Sequence, residues 1–357
     1  MSRPLRARIR TAALTHNLGV ARGLAPGCRV MAVVKANGYG HGLLRSVAAF
    51  ARADALAVLE IEGAVRLREA GFRHEILLIE GLFNAGELAI AVEHGFALVV
   101  HHDEQVAMLE ATKNPRRLRV FLKVNSGMNR LGFLPERVAG VLSRLEACAA
   151  VSDIVLMTHF ANADDDLGVA WQLERFQGIA ACGRLPWSLA NSAALIRYPA
   201  TRSGWVRPGI MLYGSSPFVD ETAGALGLQP AMTLESQVIA VQALQPGDRV
   251  GYGGTFTAHA PMRIGIIACG YADGYPRHAP GGTPILVDGR RTRTLGRVCM
   301  DTLFADLTAL PMAGVGAKVI LWGEGLPVEE VATAAGTVGY ELLCALAQRV
   351  QIEETRE

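Results

Sequence analysis

No run of apolar residues in this chain approaches the roughly 20 needed to span a bilayer. The arginine-bearing start, MSRPLRARIRT, is followed by no apolar stretch, so it does not read as a secretory signal. An excess of one charge is missing too: the formal net charge is +2, and acids and bases are interspersed. That balance excludes a nucleic-acid footprint and a basic membrane surface. The six cysteines (Cys28, Cys148, Cys182, Cys269, Cys299 and Cys344) include no C-x-x-C pair. They read as reduced, mostly buried thiols of a cytoplasmic protein. No metal-ligand spacing stands out; His101, His102 and Asp103 fall at a strand end, where a solvated loop accounts for them. Internal repeats and low-complexity tracts are also absent.

Half of the 357 residues are hydrophobic, enough for a large core and for two domains, or one barrel with an appendage. Between Arg29 and Gly214 short apolar strands alternate with helical patterns. The strands read as 30–34, 55–59, 75–79, 97–100, 119–124, 154–158, 187–190 and 206–213. Helices such as 60–69 and 87–93 are closed by Gly71 and Gly95 just ahead of the next strand, the expected connection from helix to strand. Eight such units over about 200 residues predict a (β/α)8 TIM barrel rather than an open sheet. Residues 215–230, rich in Gly, Ala, Pro and Ser, read as a linker. Past it the pattern changes to strands and turns: 236–243, 263–269, 284–287, 293–298 and 318–321. A helix pair, 328–335 and 340–347, closes the chain. The expected domains are a barrel over residues 1–225 and a mostly β domain over 226–357, with the N-terminal strand able to join the latter.

The most informative stretch is 29–42, RVMAVVKANGYGHG. Lys35 stands where a buried strand ends, and loss of hydration there disfavours the ammonium form. That is one route by which a lysine becomes a Schiff-base nucleophile. A bare V-K-A is equally met where a lysine escapes to solvent at a strand end. The glycines and Tyr39 that follow suit a bound phosphate and shift the balance.

Barrel chemistry gathers at the C-terminal ends of the strands, with phosphate often held after strands 7 and 8. Lys123 lies in strand 5 and Arg130 in the loop after it (KVNSGMNRLG). His159 ends strand 6 (THF), Asn191 and Ser192 follow strand 7, and Arg207, Gly209 and Ile210 belong to the strand 8 region. Taken singly each has an ordinary structural use: a satisfied core histidine, surface ion pairs for the arginines, an N-cap for Ser192. Their joint placement at one end of the barrel is what points to a site. In the second domain, GYGGTF, GYADGYPR and GRVCMD carry Tyr252, Tyr271, Asp273, Met300 and Asp301. Turn chemistry by itself explains GYADG and GYGG.

AVVKANGYGHG, KVNSGMNRLG, THFANAD, NSAA, VRPGIMLYG, VGYGGTF, GYADGYPR, GRVCMD and GTVGYELLCALAQRV occur in that order. In these nine motifs, over nearly its whole length, the chain resembles the bacterial alanine racemases, pyridoxal-phosphate enzymes built from a TIM barrel and a C-terminal β domain. One departure is the ending QRVQIEETRE, where a proline is expected just after the valine. The resemblance implies that Lys35 holds pyridoxal 5'-phosphate as a Schiff base. It implies phosphate contacts from Tyr39, Ser192, Gly209, Ile210 and Tyr340, with Asn191 beside them, and places Arg207 opposite the pyridine nitrogen. His159 would lie between Arg207 and a catalytic Tyr252 contributed by the partner subunit of a homodimer. Arg130 would contact the cofactor's phenolic oxygen and the substrate carboxylate, which Met300 from the partner also meets through its N–H. Lys123 matches a lysine often carbamylated in the family. Tyr271 and Asp301 correspond to positions around the mouth of the site and the dimer interface.

The implied reaction interconverts L- and D-alanine, making D-alanine for cell-wall peptidoglycan or consuming it. Racemisation needs a proton removed from one face of a carbon and another delivered to the opposite face, so two groups are required. Lys35 and Tyr252 are that pair. Arg207 can donate hydrogen bonds but stays charged, so it does not support a protonated pyridine as a carboxylate would. That argues against a decarboxylase of the same architecture. A non-catalytic carrier of the cofactor has no need of Tyr252, and a Schiff-base aldolase has no need of Arg207 and Tyr340.

Overall fold

The computed structural model describes residues 3–112, 116–179 and 183–355; Cys182 lies outside them. The residues fall into two compact units. One comprises Asn17–Gly38 and Gly42–Leu212. The other comprises the chain up to His16, Tyr39–His41 and everything from Tyr213 onward.

The first unit is a closed barrel of eight parallel strands: β2 (Arg29–Val33), β3 (Ala55–Val58), β4 (Glu75–Leu78), β5 (Ala97–Val100), β6 (Leu118–Lys123), β7 (Val151–Met157), β8 (Trp187–Ser188) and β9 (Trp205–Val206). β9 pairs back onto β2 through Arg29–Trp205 and Val30–Val206, which closes the ring. Barrel strands covered on both faces read as continuous apolar runs. Accordingly Val30, Met31 and Ala32 of β2 and all of β3 are buried. Helices follow the strands and stop where expected. Asn84 caps Ala85–His94 by accepting from the Glu87 N–H at 3.2 Å, and the helix ends on Gly95 in the left-handed region.

The eighth strand departs from expectation. Only Trp205–Val206 pairs, and Ile210–Tyr213 is a 3-10 turn. Pro208 is the reason: it has no N–H to give a ladder, so pairing ends before it.

The second unit is built on one sheet. Its strands are β1 (Arg6–Arg10), β10 (Met232–Leu244), β13 (Met262–Ile267), β14 (Pro284–Val287), β15 (Arg290–Leu295), β16 (Leu303–Asp306), β17 (Lys318–Trp322) and β18 (Gln351–Thr355); β11 (Arg249–Val250) and β12 (Phe256–Thr257) form a separate ribbon. The order is β13-β16-β15-β14-β17-β10-β1-β18, and β13 also pairs with β10, so that the strands from β13 to β10 close on themselves. β1 lies antiparallel to β10 and parallel to β18. Segment 215–230 is no exposed linker. Ser215, Phe218 and Leu228 are buried, and Glu329 accepts from the Ala223 N–H at 2.9 Å. The thiols are less hidden than expected: Cys148 and Cys269 are buried, Cys28 and Cys299 half-buried, Cys344 exposed. Among the described residues no helix is long and apolar enough to cross a membrane, and no three His, Cys, Asp or Glu side chains group as metal ligands.

Candidate active site

β2 ends at Val33, and Lys35 opens a turn of the left-handed kind: φ is 51° at Ala36, 53° at Asn37, 62° at Gly38 and 49° at Tyr39. Three of these residues carry a Cβ, and each costs about 1–2 kcal/mol in that conformation. The turn persists because its backbone is tied at both ends. The Gly38 N–H donates to Val34 O at 3.0 Å, and the Leu43 N–H to Asn37 Oδ1 at 2.9 Å. Strain that the surroundings hold in place collects where chemistry is done. It leaves Lys35 half-buried, on the side of the barrel where the strands end.

Lys123 is the last residue of β6 and is 6% exposed. Burial, helped by the charges of Arg207, Arg130 and Lys35 and opposed by Glu80, lowers its amine to about 8. Arg130 follows in the loop after β6, exposed and without an ion pair among the described residues. His159, just past β7, is half-buried, and burial together with Arg207, Lys123, Arg130 and Lys35 holds its ring well below the usual value. It is neutral near pH 7.

Arg207 is 3% exposed and has no carboxylate partner among the described residues. Nη1 donates to Ser188 Oγ at 2.7 Å, and Nη2 to Thr158 O at 2.7 Å and Leu189 O at 3.3 Å. Burial lowers its guanidinium, which still remains a cation near neutral pH. A buried charge set against neutral acceptors alone is costly, and an anionic or aromatic ligand would relieve that cost.

Asn191 caps the short helix Ser192–Arg197, its Oδ1 accepting from the Ala194 N–H at 2.9 Å. Its side chain is thereby committed to the helix. The Ser192 hydroxyl is buried and accepts from the Gly209 N–H at 2.9 Å and the Met211 N–H at 3.4 Å. Ile210 lies between those two donors, fully buried. Backbone N–H groups and a hydroxyl thus converge after strands β8 and β9, the set a phosphate needs.

The barrel residues fit pyridoxal phosphate. Lys35, Lys123, Arg130 and Arg207 all act on His159 electrostatically, and Glu80 is the one carboxylate among the groups acting on Lys123. Such a cluster calls for an anion.

The remaining expected residues sit in the second unit. Tyr39 is 7% exposed, stacks on Tyr213 at 4.6 Å between centroids, and lies 6.2 Å from the Tyr340 ring. Burial, then Tyr340 and Cys344, pushes its phenol up, so it stays protonated and neutral. Tyr252 is 69% exposed on a glycine-bounded turn (Tyr252–Gly254), and Met300 is 52% exposed. Arg277 lies over the Tyr271 ring at 5.9 Å. Asp301 is engaged: its carboxylate accepts from Arg349 at 2.7 Å, and its carbonyl from Arg3 at 2.5 Å.

Those two arginines also grip Asp273, which the sequence suggests only as a turn residue. Asp273 is fully buried and accepts from Arg3 at 2.5 and 2.8 Å, Arg349 at 2.7 Å and the Gly270 N–H at 2.8 Å. The turn it stabilises donates from Tyr271 and Ala272 N–H to the Cys299 and Met300 carbonyls, each at 3.0 Å. A Cβ at Gly270 would strike the Met300 carbonyl, so only glycine permits this approach. Nothing local in the sequence marks a clamp spanning 270 residues. Ser188 and Thr158, the acceptors for Arg207, are equally silent.

Comparison with known proteins adds to this geometry. Residues 9–217 match the family model "Alanine racemase, N-terminal domain" and residues 231–353 the model "Alanine racemase, C-terminal domain". A curated alanine racemase of Nitrosospira multiformis is 58% identical over 355 residues, covering 98% of this chain and 99% of its own. That of Thiobacillus denitrificans is 59% identical over 352 residues, covering 99% and 96%. The crystal structure of biosynthetic alanine racemase from Pseudomonas aeruginosa superposes with a TM-score of 0.96 at 46% identity, covering 99% of both chains.

Proposed function

Since the chain belongs to the alanine racemase family and is an amino-acid racemase, an isomerase, we propose that it interconverts L- and D-alanine with pyridoxal 5'-phosphate through a Lys35/Tyr252 pair. The observation that carries this reading is the cationic end of the barrel, where Lys35 stands on a strained left-handed turn beside Lys123, Arg130 and an Arg207 that meets only neutral acceptors among the described residues. Lys35 is the residue that would hold the coenzyme. Arg207 would face the pyridine nitrogen, and the Ser192 hydroxyl with the Ile210 N–H would donate to the phosphate, joined by the Gly209 N–H as it exchanges its bond to Ser192 Oγ for the anion. Tyr39 and Tyr340 are the proposed phenolic donors to that phosphate. Asn191, committed to its cap, supports the segment.

Bound pyridoxal phosphate supplies an electron-withdrawing ring that makes the substrate's Cα proton removable. The remaining work falls to side chains. Arg130 and the Met300 N–H hold the substrate carboxylate, and Lys123, as amine or carbamate, orients Arg130. Lys35 Nζ moves a proton at one face of Cα, and the Tyr252 hydroxyl moves one at the other. Positioned acid–base groups of this sort contribute on the order of 10² to 10⁴ in rate. Neutral His159, between Arg207 and Tyr252, keeps further positive charge away from the phenol. Arg207 retains its own proton, so the pyridine nitrogen it faces would stay unprotonated and the ring would be a weaker electron sink than one beside a carboxylate, which would keep the reaction to proton exchange.

Tyr252, Met300 and Tyr271 are all exposed, as fits side chains that a second subunit covers; we therefore assign a homodimer with shared sites, Tyr252 acting in the partner's site. Tyr271 and Asp301 belong to the mouth of that site, Asp301 by fixing Arg3 and Arg349. Similarity to the P. aeruginosa biosynthetic enzyme favours supply of D-alanine for peptidoglycan, in the cytoplasm. The test is circular dichroism of L-alanine incubated with the holoenzyme, with borohydride reduction and peptide mapping alongside. Loss of optical activity and a reduced adduct on Lys35 are expected. A stable L-alanine signal, or label on another lysine, contradicts the proposal.

A further inference from the structure

Gln172 is fully buried and is the third residue of the helix Ala170–Gln177. Both of its amide N–H donors and its carbonyl oxygen are engaged. Oε1 accepts from the Ala161 N–H at 2.7 Å, and Nε2 donates to His159 O at 3.1 Å and Ser126 Oγ at 3.2 Å. Ser126 is itself buried and bonds Thr158 Oγ1 at 2.7 Å, which donates to Val124 O at 2.9 Å. The Thr158 carbonyl is one of the acceptors for Arg207. A single buried network therefore runs from the base of the loop carrying Arg130, through Gln172, to His159, and through Thr158 to Arg207.

The loop is stiff in itself. Asn125 Oδ1 accepts from the Gly127 N–H at 3.1 Å and the Asn129 N–H at 3.0 Å, and Asn125 Nδ2 donates to Asn129 Oδ1 at 3.0 Å. The same helix presses Trp171 onto Gly127, where a Cβ would run into the indole. Arg130 stands three residues farther on and has no ion pair of its own among the described residues. A stiff loop fastened at its base transmits any slip at Ser126 to the guanidinium it carries.

We propose that Gln172 is a positioning residue, whose bonds to Ser126 and His159 set the place of Arg130 and thereby the grip on the substrate carboxylate. The carboxylate half of this inference rests on the role given to Arg130 above. A matched comparison exists in the same barrel. Gln105, also third in its helix (Asp103–Ala111) and buried, accepts from the His101 N–H at 2.9 Å and donates to Leu82 O at 3.0 Å and Glu80 O at 3.1 Å. It does the same mechanical work on loops that do not carry Arg130.

The test uses the holoenzyme with Gln172→Met, Ser126→Ala and Gln105→Met. It reads Tm, KM and kcat for L-alanine, and hydrogen exchange of amides 125–130. Gln172→Met is expected to raise KM on the order of tenfold and Ser126→Ala about threefold, kcat staying within about twofold. Exchange at 125–130 should accelerate in both. Gln105→Met should lower Tm comparably while KM stays within about twofold of the parent. Unchanged KM in Gln172→Met and Ser126→Ala, even with faster exchange, overturns the proposal, as does unaltered exchange at 125–130. Should Gln172→Met fail to fold, Ser126→Ala alone decides. Failure of the parent itself to racemise alanine would sink the functional reading and the carboxylate half with it; the exchange data then judge the anchoring of the loop separately.

Discussion

Replacing Asp273 with asparagine should weaken both the second unit and the site it carries. The parent carboxylate receives three guanidinium hydrogen bonds and one backbone bond, at 2.5 to 2.8 Å, with no exposure of its own. Burial alone would raise its pKa; the bonds from Arg3, Arg349 and the Gly270 N–H outweigh that and hold it below the ordinary carboxylate value. Breaking a fully buried ion pair costs about 3–5 kcal/mol. Here the arginine side chains keep 34% and 43% of their exposure and can turn to water, so about 2–3 kcal/mol is the expected loss. For a unit of this size that lowers Tm by about 5–10 °C. Because the folded pKa is the depressed one, the contribution is complete above the unfolded value of about 3.9 and disappears as the pH falls through the folded value. The stability gap between parent and variant should thus be full at pH 7 and narrow in acid below about pH 4. Calorimetry across that range measures it. The turn also ties Tyr271 to Cys299 and Ala272 to Met300 through their backbones, so KM should rise on the order of tenfold. A Tm within about one degree of the parent at pH 7, or a gap that does not change with pH, would refute the reasoning.

Lys123, with an amine near 8, should bind carbon dioxide as a carbamate increasingly as the pH rises through that value, since the neutral amine is the reacting form. Carbon-13 NMR of protein equilibrated with labelled bicarbonate should show the carbamate signal growing between pH 7 and 9, and Lys123→Arg should abolish it. Arg207→Glu should divert part of the flux to transamination, because a carboxyl group beside the pyridine nitrogen supports its protonation. Chromatography of the coenzyme after prolonged turnover should then reveal pyridoxamine phosphate, and an unchanged partition between the two products counts against the role given to Arg207.

The barrel was legible because its strands are buried on both faces and stand out as short apolar runs such as Ala97–Val100. Polar residues at the strand ends, Lys123 and His159 among them, were visible against that background. The last strand was overextended because Ile210–Tyr213 is as apolar as a strand while being a 3-10 turn. β16 (LFAD) alternates buried with half-buried positions and ends on an aspartate, so it shows no continuous apolar run, and β18 (QIEET) carries too little apolar character. Glycines announced a turn after Lys35, yet its left-handed course through Ala36, Asn37 and Tyr39 is set by Asn37 and by contacts outside the turn. Asp273 and Gln172 act through partners far away in the chain. A buried carboxylate between two arginines, or a buried amide joining two loops, leaves no periodicity to read.

Sharing of one site between two polypeptides is tested most directly by mixing subunits. Lys35→Ala and Tyr252→Phe enzymes, each inactive alone, are combined, exchanged by mild dissociation, and assayed for alanine racemisation after native mass spectrometry has verified the heterodimer. Each heterodimer brings together one intact Lys35 and one intact Tyr252, so the account predicts that activity returns in proportion to heterodimer, one competent site apiece. Verified heterodimer with no recovered racemisation would contradict it.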